Sequence, residues 1–569
     1  MKTFEEIRNE MGKVIEIKTS LRGKDLLMSR ELNKGSCFSK EERENFGLEG
    51  KLPESVITFD QQLKRFYKQF EDRSSPITKN IFLNNLKQTN ETLFYRLATE
   101  HLEEMLPIIY TPTIGDAVKE FSYQFNQPQG LYLSYPNRNK IAEILKNRLI
   151  EDIDLILLTD GEGVLGIGDW GVGSMDICIG KLMVYTLCGG VNPRRVLPIQ
   201  LDVGTNNETL LNDPLYLGWR HKRIDETDYD DFIGLVVEHI RQEFPNVFLH
   251  WEDFGRDNAR KNLNRYRDEM CTFNDDMQGT GATALACVMS AVAAKREKLS
   301  QQQIVFFGAG TAGVGIADQI CRAMVQDGIS EKEAQDRIWL IDRPGLIMSE
   351  LDSVLSFQQP YQKSKEQIAK WSVKNRSEIS LLEVINNLRP TILIGCSTVH
   401  GAFNKNIVKA MSKHVTRPVI FPLSNPTSKA EADPKDIVAW SKGRAIIATG
   451  SPYDPVKYKG KHLRISQCNN AFVFPGLGLG VIAVKATRVT DKMIEAAART
   501  LSESSPALKD PHAPVLPDFD VVREVSKKIA LAVAEQARSE DVAGVDNFLN
   551  LKDKIDALFW KPEYLPYSN

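Results

Sequence analysis

Hydrophobic positions recur at helical spacing along much of the first 125 residues. Between residues 83 and 106 apolar side chains return every three or four positions, and Pro107 and Pro112 then interrupt the pattern. A recurrence of this kind is typical of amphipathic helices, which proline ends or kinks. We therefore predict a helical N-terminal domain over residues 1–125.

Short, continuous apolar runs replace this periodicity from about residue 150. The first set lies at residues 153–158, 196–201 and 247–251, with helical segments between them. Runs of this length that alternate with helices are typical of buried parallel strands in an α/β domain. We predict that this domain covers residues 126–278 and is completed by helices from 465–538.

A second set of buried runs begins near residue 303. Its members lie at residues 303–307, 338–342, 391–395, 419–422 and 445–449. The same argument predicts a second α/β domain over residues 279–464, followed by a C-terminal tail over 539–569. The expected fold class is α/β, with a helical N-terminal region and two α/β domains.

Composition narrows the class of protein. The 569 residues are 42% hydrophobic and 26% charged, which is ordinary for a soluble globular chain. A net charge of −3 provides no electrostatic basis for binding nucleic acid or an anionic membrane. The scattered cysteines form no CxxC pair, the N-terminus is unlike a leader, and the apolar run 279–294 is shorter than the ~20 residues of a membrane span. We expect a cytoplasmic protein with no nucleic-acid or membrane partner.

A glycine motif follows the first run of the second set. Gly308, Gly310 and Gly313 form GxGxxG between a predicted strand and a predicted helix. In dinucleotide-binding domains the three glycines permit a tight turn, backbone approach to a pyrophosphate and close helix–strand packing. The phosphates then lie at the positive end of the helix. The motif in this context predicts that residues 279–464 are a Rossmann-type domain.

The residues after the next strand bear on the choice of cofactor. Asp342 ends the run 338–342, where a carboxylate accepts the ribose hydroxyls of NAD and repels a 2′-phosphate. Arg343 follows directly and is the residue type that binds that phosphate, so NADP remains the alternative. We predict NAD.

Two acidic pairs stand out near the ends of apolar segments. Glu252 and Asp253 follow the run 247–251, and Asp275 and Asp276 lie in the sequence FNDD. Neighbouring carboxylates suit a hard divalent cation such as Mn²⁺ or Mg²⁺, which takes oxygen ligands. The first pair also precedes a predicted helix, where acids cap the N-terminus. These spacings leave the metal site and the helix cap open as alternatives.

Longer motifs run through the chain in a fixed order. They are LFYRLATEHLEEMLPIIYTPTIGDAV (93–118), GVLGIGDWG (163–171), GKLMVYTLCGGV (180–191), LDVGTNNETLLNDPLYLGWRH (201–221), WEDFGRDNA (251–259), FNDDMQGTGA (273–282), FPLSNPTSKAEA (421–432), GSPYDPV (450–456) and QCNNAFVFPGLGLGV (467–481). With these motifs the sequence resembles the malic enzyme family over nearly its whole length.

The resemblance implies oxidative decarboxylation of L-malate to pyruvate and CO₂ with reduction of NAD⁺, dependent on Mn²⁺ or Mg²⁺, in a homo-dimer or homo-tetramer. It also implies site residues, carried over position by position: the metal ligands Glu252, Asp253 and Asp276, the last also near the cofactor; the general acid Tyr110; the general base Lys181 with its partner Asp275; and Asn425 and Asn470, whose amides contact substrate and cofactor.

One position departs from the family pattern. Gly163 stands where the family commonly has an arginine that pairs with a malate carboxylate. The loss of that bidentate cation, with the GDWG and LHWEDFG motifs, also resembles the malolactic branch, whose members convert malate to lactate and CO₂ with tightly bound NAD. A third alternative is a non-catalytic malate or NAD sensor. A sensor would be expected to lose Tyr110, Lys181 or a metal acid, and all are present.

Overall fold

The computed structural model describes residues 3–10, 12–148, 152–351, 353–545 and 550–569. The chain folds into two compact units. The first comprises Met1–Phe273, Pro475–Val489 and Val522–Asn569, and the second comprises Asn274–Phe474 and Thr490–Val521. Residues 1–125 thus share a unit with the α/β segment that follows them. The predicted division into four segments stays a prediction.

The helices of the described residues are α1 (Gly23–Met28), α2 (Lys40–Asn45), α3 (Phe59–Glu71), α4 (Pro76–Thr89), α5 (Glu91–Glu100), α6 (Leu102–Ile109), α7 (Ile114–Gln124), α8 (Ile141–Lys146), α9 (Met175–Gly189), α10 (Glu208–Asn212), α11 (Glu226–Glu243), α12 (Arg256–Tyr266), α13 (Thr280–Ala294), α14 (Thr311–Gln326), α15 (Glu331–Asp336), α16 (Leu381–Leu388), α17 (Lys405–His414), α18 (Pro434–Trp440), α19 (Phe474–Val484), α20 (Asp491–Glu503), α21 (Val522–Ser539) and α22 (Leu551–Leu558).

The strands are β1 (Phe4–Arg8), β2 (Val14–Thr19), β3 (Leu131–Ser134), β4 (Leu155–Thr159), β5 (Val196–Asp202), β6 (Phe248–Trp251), β7 (Thr272–Asn274), β8 (Ile304–Phe307), β9 (Ile338–Asp342), β10 (Gly345–Leu346), β11 (Ile392–Gly395), β12 (Val419–Pro422), β13 (Ile446–Thr449), β14 (Val456–Tyr458), β15 (Lys461–Leu463), β16 (Ser466–Gln467) and β17 (Tyr567–Ser568).

The main sheet of the first unit has five strands in the order β3-β5-β4-β6-β7. The pairs β3/β5, β4/β5 and β4/β6 are parallel, and every residue of β4 and β5 is buried. Burial on both faces explains why these strands read as continuous apolar runs rather than alternating ones. Leu158 of β4 is in register with Trp251 of β6, so the loops that follow these two strands start at the same edge of the sheet.

The second unit contains a seven-stranded sheet in the order β10-β9-β8-β11-β12-β13-β16. The five central strands pair in parallel, and β10 adds an antiparallel edge. From β8 the chain passes first to β9 on one side and later to β11 on the other, which is the order of a doubly wound dinucleotide-binding fold. The predicted α/β class and the predicted strands of both sets are confirmed.

The two chain ends contain strands that the sequence analysis did not describe. The first 125 residues begin with the antiparallel strands β1 and β2, not with a helix. The alternating burial of β2 reflects a period of two that the helical prediction overlooked. In the described part of the predicted C-terminal tail, α22 buries Leu551 and Ile555, and β17 pairs in parallel with β2.

Within the described residues, two helical stretches are long and apolar enough to cross a membrane by length and composition alone. They are Gly171–Gly189 and Asp275–Ala294, and the second includes the run 279–294 noted above. Of their apolar windows, 94% and 78% respectively are buried inside the protein. Because the core helix of a soluble protein meets the same criterion, they are weak evidence for a membrane span.

Lys363 provides a test of the packing of the second unit. It is 1% exposed, donates to the backbone oxygen of Gln335 at 2.8 Å and lies over the ring of Trp339. Burial lowers its pKa from 10.5 to about 7, although Asp336 raises it. The folded state therefore binds this proton less tightly than the unfolded state. The stability that the neutral amine confers is full above pH 10.5 and is lost as the pH falls to about 7.

We expect Lys363→Met to remove this pH dependence. As the pH falls from 10.5 to 7, the free energy of unfolding of the variant should rise relative to that of wild type by up to about 1.4 kcal/mol for each pH unit. Denaturant unfolding of both proteins, measured at two pH values inside this interval, gives the gain. Lys365→Met, at an exposed lysine, is the matched control. An identical pH dependence in wild type and Lys363→Met would show that this lysine is charged in the folded state.

Candidate active site

Two ionisable side chains lie on one side at the end of β6: His250 is within the strand, and Glu252 follows it directly. His250 and Glu252 are two positions apart, and both are buried. His250 Nε2 lies 3.1 Å from Glu252 Oε2, and Nδ1 lies 2.7 Å from the hydroxyl of Tyr185. A neutral imidazole that donates from Nε2 to the carboxylate accepts from Tyr185 at Nδ1. The sequence analysis missed His250, although the alternation of a strand places residues 250 and 252 on the same side.

Lys181 and Tyr110 converge on the other oxygen of Glu252. Lys181 projects from α9 and is buried, and its Nζ forms an ion pair with Oε1 of Glu252. The Tyr110 hydroxyl donates to the same oxygen at 3.2 Å. The Lys181 Nζ lies 5.6 Å from the centre of the Tyr110 ring. The structure thus brings together the predicted general acid, the predicted general base and one predicted metal ligand.

Asp253 decides between the two interpretations of the first acidic pair. Helix α12 begins at Arg256 with Gly255 as its N-cap, and no side chain caps it. Asp253 instead accepts a hydrogen bond from the backbone N–H of Leu165 at Oδ1, over 3.1 Å. Its backbone oxygen accepts from the N–H of Gly163 at 2.9 Å. The helix-cap alternative is therefore wrong for this pair.

The donor set of Glu252 and Asp253 fits a hard divalent cation. The two residues are 1% and 4% exposed, and one carboxylate oxygen of each lies within 4.8 Å of the other. Two buried carboxylates this close repel one another unless positive charge compensates them. Carboxylate oxygens are the ligands that Mg²⁺ and Mn²⁺ prefer. The first unit can therefore supply two ligands to such an ion.

The second acidic pair, Asp275 and Asp276, lies at the start of the second unit. Asp275 and Asp276 open a π-helical turn, Asp275–Gly279, directly after β7; Asp275 is buried and Asp276 is exposed. The side-chain amide of Asn470 donates to Asp275 Oδ2 at 3.0 Å and to the hydroxyl of Thr280 at 3.1 Å. The predicted residues Asp275 and Asn470 are thus brought together. The pairing of Asp275 with Lys181 and the role of Asp276 as a ligand stay predictions.

The glycine motif connects β8 to α14 as the sequence predicts. Gly308 has a φ of +102°, and a Cβ there would lie 2.4 Å from the backbone oxygen of Cys396. A Cβ at Gly313 would lie 2.2 Å from the oxygen of Gly308. A Cβ at Gly310 would meet no atom within 4 Å, and Gly310 is the N-cap of α14. Packing therefore requires the first and third glycines, and the second leaves open space at the N-terminus of the helix, where a phosphate binds.

Asp342 lies beside this glycine loop. It is the last residue of β9, and its Oδ2 accepts from the N–H of Ala309 at 3.2 Å. Arg343 is exposed. The strand order places the switch point between β8 and β11, where doubly wound folds bind their ligands. The role of Asp342 in accepting the ribose hydroxyls of a dinucleotide stays a prediction.

Glu431, a buried carboxylate that the sequence analysis missed, connects the loops after two neighbouring strands of the seven-stranded sheet. Glu431 is fully buried and accepts from the N–H and hydroxyl of Ser397 and from the hydroxyl of Ser424. It thereby joins the loop after β11 to the loop after β12. Asn425, which follows Ser424 in the chain, accepts a hydrogen bond from the Ser451 hydroxyl at 2.6 Å. No periodicity marks Glu431, because its partner Ser397 lies 34 residues earlier in the sequence.

Gly163, where the resemblance expects an arginine, faces protein backbone. A Cβ on this residue would lie 2.6 Å from the backbone oxygen of Phe254. A non-bonded separation below 3.0 Å is a steric clash for a Cβ atom. The segment that carries Asp253 thus occupies the space into which a side chain at position 163 would project.

Two protein-family models match this chain. Residues 87–267 match the model of the malic enzyme N-terminal domain, and residues 277–538 match that of the malic enzyme NAD-binding domain. The chain belongs to the malic enzyme family. The interval between the two matched regions contains β7, where the chain passes from the first unit to the second.

Individual relatives extend over nearly the whole chain. The NAD-dependent malic enzyme of Photorhabdus laumondii is 48% identical over 99% of this chain and 99% of its own length. That of Erwinia tasmaniensis is 49% identical over 94% of this chain and 95% of its own. Among solved structures, the malic enzyme of Entamoeba histolytica has a TM-score of 0.55 at 20% identity and covers 90% of this chain and 89% of its own. At that identity the structure supports the fold alone.

The contact at Gly163 generates a stability prediction. We expect Gly163→Ala to destabilise the protein by about 1–3 kcal/mol, because the added methyl group forces the Phe254 carbonyl to move. Unfolding by denaturant or heat measures the change. Gly115→Ala is the matched control in the same unit, since its Cβ would make an ordinary 3.7 Å contact with Leu165. Equal stabilities for the two variants would contradict the prediction.

Proposed function

We propose that this chain catalyses the oxidative decarboxylation of L-malate to pyruvate and CO₂, with reduction of NAD⁺ to NADH. The observation that carries the proposal is the convergence of Lys181 and Tyr110 on one oxygen of the buried Glu252. A base and an acid at one carboxylate suit a reaction that removes a proton from a hydroxyl and later adds one to carbon. Relatives at 48–49% identity over nearly the whole chain are named NAD-dependent malic enzymes.

The proposed metal ligands are Glu252, Asp253 and Asp276, for Mn²⁺ or Mg²⁺. The first two follow β6, and Asp276 is two residues beyond the end of β7, the neighbour of β6 in the sheet. When bound, the ion supplies a Lewis acid that stabilises negative charge on the C2 oxygen of the substrate. Glu252 and Asp253 are buried, and together with the exposed Asp276 they would hold the ion by charge.

The proposed acid–base residues divide two proton transfers. In its neutral amine form, Lys181 Nζ accepts the proton of the malate C2 hydroxyl as the C2 hydride leaves for NAD⁺. Asp275 is the proposed partner of this lysine. After CO₂ departs, the Tyr110 hydroxyl protonates C3. The two groups contact the same oxygen of Glu252, which fixes their separation before substrate binds.

The proposed cofactor residues are those of the glycine loop and its surroundings. Gly308, Gly310 and Gly313 accommodate the pyrophosphate, and Asp342 accepts the ribose hydroxyls, which favours NAD. Asn425 contacts substrate and cofactor, Asn470 contacts substrate, and Asp276 lies near the cofactor. The hydrogen bond from Ser451 to Asn425 supports this assignment, because it holds the amide in one orientation.

We also propose a cytoplasmic homo-dimer or homo-tetramer that acts on a small-molecule substrate. The eight cysteines are all free thiols, as a reducing compartment favours. The oligomeric state is inferred from family membership.

One assay of the purified chain tests the reaction. With L-malate, Mn²⁺ and NAD⁺ we expect pyruvate and NADH in equal amounts. Absorbance of NADH and separate measurement of pyruvate and lactate provide the readout. Lactate without net NADH would replace this proposal with the malolactic reaction. Binding of malate and NAD⁺ with no product of either kind would identify a sensor.

Two substitutions test the acid–base assignment. We expect Lys181→Ala and Tyr110→Phe each to lower kcat by about 10²–10⁴-fold, because each removes one proton transfer. The affinity for NAD⁺, measured by titration without malate, should remain that of wild type. Tyr123→Phe, at a tyrosine that is 79% exposed, is the control and should retain full turnover. Wild-type kcat in either test variant would show that the assigned residue transfers no proton.

A further inference from the structure

Residues 160–170 form a closed loop after β4. We call it the Asp253 loop because its tip contacts Asp253, which is not itself part of the loop. The N–H of Trp170 donates to the oxygen of Gly161 at 3.0 Å, and Val164 pairs with Gly168 across the loop. At the tip, the N–H groups of residues 163 and 165 donate to the backbone oxygen and to Oδ1 of Asp253, as described above. The conformation of this loop therefore sets the orientation of the Asp253 carboxylate.

Arg223 holds both ends of the Asp253 loop. Its Nε donates to Asp169 Oδ2 at 2.8 Å, and its Nη2 donates to the backbone oxygen of Asp160 at 2.8 Å. Its Nη1 forms an ion pair with Asp160 Oδ2 at 3.4 Å. The planar guanidinium thus joins the first residue of the loop to one near its end. A lysine carries the same charge but lacks this fork of donors.

Further contacts hold the two acids in place. Asp169 also accepts from the Thr205 hydroxyl and from the N–H of Asn206, each at 2.8 Å, and Tyr229 donates to Asp160 at 2.7 Å. Burial lowers the pKa of Arg223, but Asp160 and Asp169 outweigh this and hold the pKa above its ordinary value. The clamp therefore stays charged, and the segment after β5 and helix α11 support it.

We propose that Arg223 is a positioning residue for the divalent metal site, acting through the Asp253 loop on the carboxylate of Asp253. The proposal rests on the proposed role of Asp253 as a metal ligand. Among the described residues, Arg223 forms no hydrogen bond or ion pair with a proposed metal ligand. Its effect is to keep two backbone N–H groups aimed at Asp253, so that the carboxylate is oriented before the ion binds.

The test is Mn²⁺ binding to the full-length chain carrying Arg223→Lys. Electron paramagnetic resonance of free Mn²⁺ during a titration reports the Kd directly. We expect the Kd to rise about 10–100-fold, as is typical when an outer partner of a ligand is lost. NAD⁺ affinity should not change, and raising Mn²⁺ should restore most of kcat. A role in stability alone predicts a lower unfolding temperature with wild-type Mn²⁺ affinity, and that result would overturn the proposal.

Control and companion variants complete the design. Lys222→Ala removes the adjacent, exposed cation and should leave Mn²⁺ affinity unchanged. If Arg223→Lys does not fold, Asp169→Asn cuts the same clamp at its other side and is expected to weaken Mn²⁺ binding similarly. Wild-type Mn²⁺ affinity in that variant equally contradicts the proposal.

Asp253→Asn separates this proposal from the proposed function. It should abolish tight Mn²⁺ binding. If it binds Mn²⁺ like wild type, the assignment of Asp253 as a ligand fails, and the positioning role of Arg223 fails with it. If Asp253→Asn loses binding while the clamp variants keep it, only the positioning role is wrong.

Discussion

A carboxylate that is almost completely buried at the end of a β-strand governs the architecture around it. Glu252 is 1% exposed, and an uncompensated charge at such a depth costs several kcal/mol. The first unit supplies Lys181 and Tyr110 to one oxygen and His250 to the other. Helix α9, buried on all sides, is what brings the lysine to this depth. The same compensation that makes the fold tolerate Glu252 places a base and an acid within reach of one another.

Backbone groups compensate the neighbouring carboxylate. Asp253 receives a hydrogen bond from the tip of the loop after β4, and Arg223 ties the ends of that loop together. This arrangement also explains the glycine at position 163. The loop packs so closely on Phe254 that a Cβ has no room, so the absence of an arginine there is part of the packing and not an isolated substitution.

The second unit follows the more general rules of a dinucleotide-binding sheet. Gly308 and Gly313 are required by close packing, and Gly310 leaves space at the start of α14. Opposite them, Glu431 joins the loops after β11 and β12 and so orders the segment that carries Asn425. Buried polar groups with several satisfied hydrogen bonds make rigid loops, and rigid loops are what cofactor binding at a strand edge requires.

The amino-acid sequence alone was enough to predict the central strands of the two large sheets, the glycine loop and the acidic pairs, because burial and tight turns leave periodic and compositional patterns in neighbouring residues. The three-dimensional fold resolved the questions that those local patterns left open. It showed that Asp253 caps no helix, that Lys181 reaches Glu252, and that Arg223 clamps a loop some 60 residues earlier. It also revealed that the chain starts with a β-hairpin. Hydrogen bonds between distant segments depend on how strands and helices pack, and no local pattern records that packing.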